Sequence, residues 1–100
     1  MDKIRIVGFD YDIKKVDMPM VDNQGCFGIV DNIATVIELK KDNPPQKQAE
    51  TLLHEILHAI LFQFDVELED DKEEKVVKAL AKGLHQVVKD NGTEFLSYME

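Results

Sequence analysis

The chain has 100 residues, of which 44% are hydrophobic and 32% charged, with a formal net charge of -8 at pH 7. That is one domain, residues 1–100, with enough chain for a single modest core and no apolar run long enough to span a membrane. The acidic balance speaks against nucleic acid as a direct partner, because the twelve Lys and Arg residues are spread among acidic neighbours and a phosphate-binding surface needs a basic patch. Solubility is the plain reading of the acidic excess, and a preference for basic peptides the sharper one.

Met1-Asp2-Lys3-Ile4-Arg5 is not followed by the apolar region of a signal peptide. Residues 3–7 alternate polar and apolar and read as a strand that continues or bends at Gly8. Met18-Pro19-Met20 ends it, and Asp22-Asn23-Gln24-Gly25 is a turn cluster. Residues 26–30 form a second strand, Asp31-Asn32 a turn and residues 34–39 a third strand, the last two making a hairpin. Cys26 is the only cysteine. It has no partner within the chain, which fits a reducing, cytoplasmic setting.

Asn43-Pro44-Pro45 then looks like a helix start, with Asn43 as N-cap and Pro in the first turn. The helix runs over residues 45–64 and is apolar almost all round from Leu52 onward, which predicts a buried helix. After the acidic connector 65–71, a second helix covers residues 72–89, with Asp70 or Asp71 as cap and Asn91-Gly92 as its end. Its apolar stripe is Val76, Val77, Leu80, Ala81, Leu84, Val87 and Val88. Phe95, Leu96 and Tyr98 suggest a tail that docks. The fold class is α+β: a small three-stranded, mostly antiparallel sheet, an active-site helix and a backing helix.

The first helix carries His54-Glu55-Ile56-Leu57-His58. Helix positions four apart share a face, so His54 and His58 can direct two imidazoles at one metal ion. Glu55 is placed to reach a water on that metal without being a ligand, which is the arrangement of a zinc peptidase with a carboxylate general base. A chance occurrence of this pattern in a chain of such length is on the order of a few in a thousand. Polar groups on so apolar a helix must also be paired or bound to something.

A catalytic zinc takes three protein ligands. The third comes from Glu73, Glu74 or His85 on the second helix. His85 and Glu74 are roughly 16 Å apart along a helix axis and cannot serve the same ion. Helical phase leaves both glutamates open: Glu73 falls nearer the middle of the Val76/Leu80/Leu84 stripe, Glu74 at its border beside Val77 and Ala81.

With Thr51-Leu52-Leu53-His54-Glu55-Ile56-Leu57-His58-Ala59 followed by Glu73-Glu74-Lys75-Val76-Val77-Lys78-Ala79-Leu80-Ala81, the chain resembles the gluzincin branch of zinc peptidases, in particular the minigluzincins and small ImmA/IrrE-like metallopeptidases. The order of elements is similar over most of the chain, and two short motifs carry the specificity. The resemblance implies Glu74 as third ligand, since Leu80-Ala81 follows it at the family's spacing, with Glu73 in reserve. Lys78 stands where the family often has Asp or Asn, which removes a usual support of the His ligands.

The resemblance further implies a zinc-dependent endopeptidase, with His54, His58 and Glu74 holding Zn²⁺ and Glu55 as general base. The peptide substrate would lie along an edge strand, residues 34–39 or the first strand. No oxyanion donor is identifiable from the residues: Tyr11 and Tyr98 are the two phenols, and packing is the plain reading of each. Minigluzincins are zymogen-like, so residues 95–100 are a candidate plug of the cleft. The alternative is a non-catalytic zincin-like scaffold or interaction protein of a phage or mobile element.

Overall fold

Two hairpins with different turns build the sheet. The computed structural model describes residues 1–99. β1 (Lys3–Ile6) and β2 (Phe9–Val16) pair antiparallel, with Ile6 opposite Phe9. Only Val7 and Gly8 connect them, at φ 53° and 99°. Two connecting residues at positive φ give the twist that suits the flanking strands. Gly8 takes that conformation freely, whereas the β-branched Val7 is held there by the hairpin. The short strands β3 (Met20–Val21) and β4 (Gln24–Gly25) form a separate ribbon turned by Asp22 and Asn23.

β5 (Gly28–Asp31) and β6 (Val36–Lys40) make the second hairpin of the main sheet. The Asp31 carboxylate accepts the backbone N–H groups of Ile33 and Ala34 at 3.0 and 2.9 Å, which closes the loop. The strand order is β1-β2-β6-β5, with β2 and β6 parallel and the other two pairings antiparallel. The α+β class and the order sheet, helix, helix follow the sequence reading. The sheet gains a fourth strand because the chain reverses at Val7-Gly8. Residues 34–39 are not an edge: β6 lies between β2 and β5, and none of its residues is exposed. The edges are β1 and β5.

α1 (Pro45–Gln63) lies against one face of the sheet, where Ile6, Tyr11, Ile37, Leu39 and Ala59 form the core with Leu52, Ile56 and Ile60 packed on it. The other face carries charge, with Lys3 and Arg5 across from Asp12 and Asp10. Pro45 occupies the first helical position. Asn43 is not the cap. Pro44 takes that place without a side-chain bond, and Asn43 is buried with its amide 3.5 Å from the Phe27 carbonyl. At the other end Asp65 adopts positive φ and the Val66 N–H donates to the Leu61 carbonyl at 2.9 Å, a left-handed cap that stops the helix.

α2 (Asp70–Asn91) packs against the opposite side of α1. α1 therefore has the sheet on one side and a helix on the other, which explains its apolar character all round. It is sandwiched rather than fully buried: no residue from Thr51 to Leu61 is exposed, yet only Thr51, Glu55 and Ala59 are buried. Neither Asp70 nor Asp71 caps α2. Glu69 stands at the cap, and Asp70, Asp71 and Glu73 place their charge in the first turn. Gly92, at φ 71°, terminates it. The inward line of α2 is Val77 and Ala81, whereas Val76, Leu80 and Leu84 are exposed. Among the described residues no helix is long and apolar enough to cross a membrane.

Candidate metal centre

α1 presents two lines of side chains to two neighbours. Thr51, Glu55 and Ala59, each four residues apart, are its buried line. His54 and His58 form the adjacent line toward α2. Thr51 meets the sheet at Gly28, where an added Cβ would collide with the Thr51 methyl and crowd the Glu38 carbonyl. Glycine at this position therefore sets how closely β5 approaches α1.

On α2 the inward line through Val77 passes between Glu73 and Glu74, four and three residues earlier, so helical phase could not separate them. Both reach the histidines, in different roles. Glu74 spans the pair, with Oε1 2.8 Å from His54 Nε2 and Oε2 2.9 Å from His58 Nε2. The two Nε2 atoms lie 3.2 Å apart. Glu73 Oε2 sits 2.7 Å from Nδ1 on the far side of the His58 ring. One ligand atom from each of His54, His58 and Glu74 lies within 4.8 Å of the others, so the three can hold a metal ion.

The fit to a small divalent ion can be judged from the donors. Ligands about 2.0–2.1 Å from a tetrahedral ion stand roughly 3.3 Å from one another. The two nitrogens, 3.2 Å apart, already stand close to that spacing, and one Glu74 oxygen lies within 4.8 Å of both. Both nitrogens of His58 face carboxylate oxygens. With Nδ1–H donating to Glu73, Nε2 would keep its lone pair for a bound ion. Burial lowers the pKa of His54, with Glu74 opposing it, which favours the neutral ligand form.

Glu55 is outside this hydrogen-bonded set, whose bonds run between His54, His58, Glu73 and Glu74. It is 6% exposed and sits in the wall of the same cleft. Burial is the main cause that pushes its pKa up to about 7; His58 works against the shift and Glu74 with it.

The cleft holds about 1130 Å³ and is open. Its walls are β5 with Phe27, the β3–β4 ribbon at Val21, Phe62 in the last turn of α1, and Val66 and Leu68 in the connector after it. Among the described residues, no strand pairs with the outer edge of β5. Sequence reasoning missed this wall, because the apolar run 26–30 gives no sign of which of two hairpin strands is interior. It also missed the contact of Glu73 with His58.

Other expected site residues fall elsewhere. His85 lines a second groove between the helices. Tyr11 is fully buried; its hydroxyl lies 3.0 Å from Asn32 Oδ1 and accepts from Gln63 Nε2 at 2.7 Å, so it is a core residue. Tyr98 is 92% exposed in the 3-10 turn Glu94–Met99. That turn follows the far end of α2, roughly 25 Å from Glu74 at 1.5 Å per residue. Its residues do not line the cleft, so the described part of the tail is not a plug, and Glu100 lies outside the described residues.

No protein-family model matches the chain, and neither a curated protein nor a solved structure does.

Two outcomes follow from the geometry. Glu73→Gln should weaken metal binding about 10- to 100-fold, as loss of an outer partner does, in competition titrations against a chromophoric chelator. Glu55 has a carboxyl whose folded pKa lies above its unfolded value, so the metal-free protein favours the protonated form. Its stability should fall as pH rises between the unfolded value of 4.5 and about 7, with a loss of up to a few kcal/mol. Urea unfolding of metal-free Glu55→Gln should show that part of the slope removed.

Proposed function

We propose that this protein is a zinc-dependent endopeptidase. The observation that carries the reading is the carboxyl of Glu55, buried in the cleft wall and set beside three ligand groups without joining them. A site that only stabilised a small fold would have no use for it. His54, His58 and Glu74 would hold the ion, and their two nitrogens and one carboxylate oxygen suit zinc. The resemblance to minigluzincins points to the same chemistry.

When bound, the zinc ion would supply a Lewis acid for the scissile carbonyl and the attacking water. Glu55 takes the proton of that water and passes it to the leaving amine. Glu73 holds the His58 ring through Nδ1. The free edge of β5, which lines the cleft, pairs with the main chain of an extended peptide, rather than residues 34–39 or the other edge, β1, which the sequence offered. Phe62, Val66 and Leu68 offer apolar contact beside it.

The test compares wild type and Glu55→Gln for bound zinc and for cleavage of a general peptide library. Equal zinc content with cleavage reduced by about 10² or more in the variant is expected. Equal cleavage by both would remove Glu55 from the mechanism. Zinc bound by both with no cleavage by either would favour the non-catalytic scaffold.

A further inference from the structure

The acidic composition of the chain conceals a local reversal of sign. β5 and α1 run in the same direction: Gly28, at the start of β5, lies on Thr51. Just past its end, Asn32 shares the Tyr11 hydroxyl with Gln63, the last residue of α1. The cleft therefore has one end near the start of α1 and another near its finish. Glu67 and Asp70 line the latter end, with Val66 and Leu68.

Near the start of α1 the balance changes. The Phe27 ring is half exposed and carries two ammonium groups, Lys47 Nζ 4.6 Å and Lys40 Nζ 5.9 Å from its centroid. Lys78 of α2 also lines the cleft and is close enough to act on His54. Lys47 and Glu50 belong both to the cleft and to a second groove of about 600 Å³, which continues between the helices and adds Lys82, His85 and Lys89. Two carboxylates, Glu50 and Asp90, oppose these lysines, and Asp90 is engaged by Gln86 at 2.9 Å.

We infer that the cleft and the groove beyond it form a binding surface for acidic peptide, with carboxylates seated on Lys40, Lys47, Lys78, Lys82 and Lys89. Antiparallel addition to β5, the more stable pairing, sends the peptide from the Asp70 end toward Phe27. The acidic residues then lie on the C-terminal side of the bond at the metal. The first apolar side chain past that bond meets the Phe27 ring, and the next carboxylates meet ammonium groups held over and beside it. A long polyanion such as nucleic acid would have to cross the acidic remainder of the surface, whereas a short peptide need not.

The partner class deepens the peptidase reading and rests on it for the peptide's position over the metal. Binding and cleavage are nonetheless separable. The probe is a pair of fluorescein-labelled peptides, identical in an apolar N-terminal half, with either Glu or Lys residues in the C-terminal half. Anisotropy is followed on the Glu55→Gln protein, so no turnover enters.

The Glu peptide should bind about tenfold more tightly in low salt, and the preference should shrink at roughly 0.3 M salt as screening shortens the reach of the lysines. Lys47→Gln/Lys82→Gln/Lys89→Gln should reduce it severalfold, and moving the Glu residues to the N-terminal half should lose it. The net charge of the whole chain would favour the Lys peptide, so the sign of the preference is decisive. Tighter or equal binding of the Lys peptide would overturn the proposal. So would a preference undiminished in the triple variant, or tighter binding of a short single-stranded oligonucleotide. A Glu preference without cleavage by wild type would leave this surface standing and remove the peptidase reading.

Discussion

The site depends on how closely the first turn of α2 approaches the middle of α1. Val77 and Ala81 are the only buried residues of α2, and the small Ala81 lets the two helices come together about two turns beyond the carboxylates. At that distance Glu74 spans both histidines and Glu73 reaches behind one of them. A bulkier inward residue would withdraw both carboxylates together. The metal group is thus a property of a helix–helix contact, not of the five-residue motif alone. A bound ion would in turn tie α2 to α1, and much of the outer face of α2 is exposed.

The same helix solves a second problem with a different line of residues. Thr51 and Ala59 are small enough for α1 to lie close to the sheet, and Gly28 removes the side chain that would block Thr51. Glu55 occupies the middle place on that line. Its burial follows from its neighbours, and its raised pKa follows from burial. Ionising a carboxyl in such a position weakens the fold, and groups perturbed in this way cluster at functional sites. Close packing against β5 and the proton chemistry proposed for Glu55 are therefore consequences of one arrangement.

The sequence made some of this legible. His54 and His58 could be placed on one helical face because spacing alone decides that. The ends of the helices were readable to within a few residues, though the caps were not: Asn43 and the Asp70/Asp71 pair had the right side chains in places the backbone did not use for capping. The apolar stripe of α2 was wider than the contact it makes. Val76, Leu80 and Leu84 suggested an inward face, and the inward residues are Val77 and Ala81. Strand order lay outside the reach of local pattern, because the parallel pairing of β2 with β6 joins segments far apart in the chain. The bond of Glu73 to His58 was not legible either, because helical phase did not separate Glu73 from the neighbouring Glu74.

Charge behaves in the same way as strand order, since the chain total conceals what the fold brings together. Lysines from the end of β6, the start of α1 and the length of α2 are spread over one end of the cleft and the groove beyond it. All of these features are arranged around the trio of His54, His58 and Glu74, so the account stands or falls on the ligands of the metal. Zinc K-edge absorption spectroscopy of the zinc-loaded protein tests this most directly. One equivalent of zinc bound by two imidazoles and oxygen donors, reduced to a single imidazole in His58→Ala, is the expected result. Absence of stoichiometric zinc, sulfur ligation by Cys26, or a spectrum unchanged in His58→Ala would contradict the account.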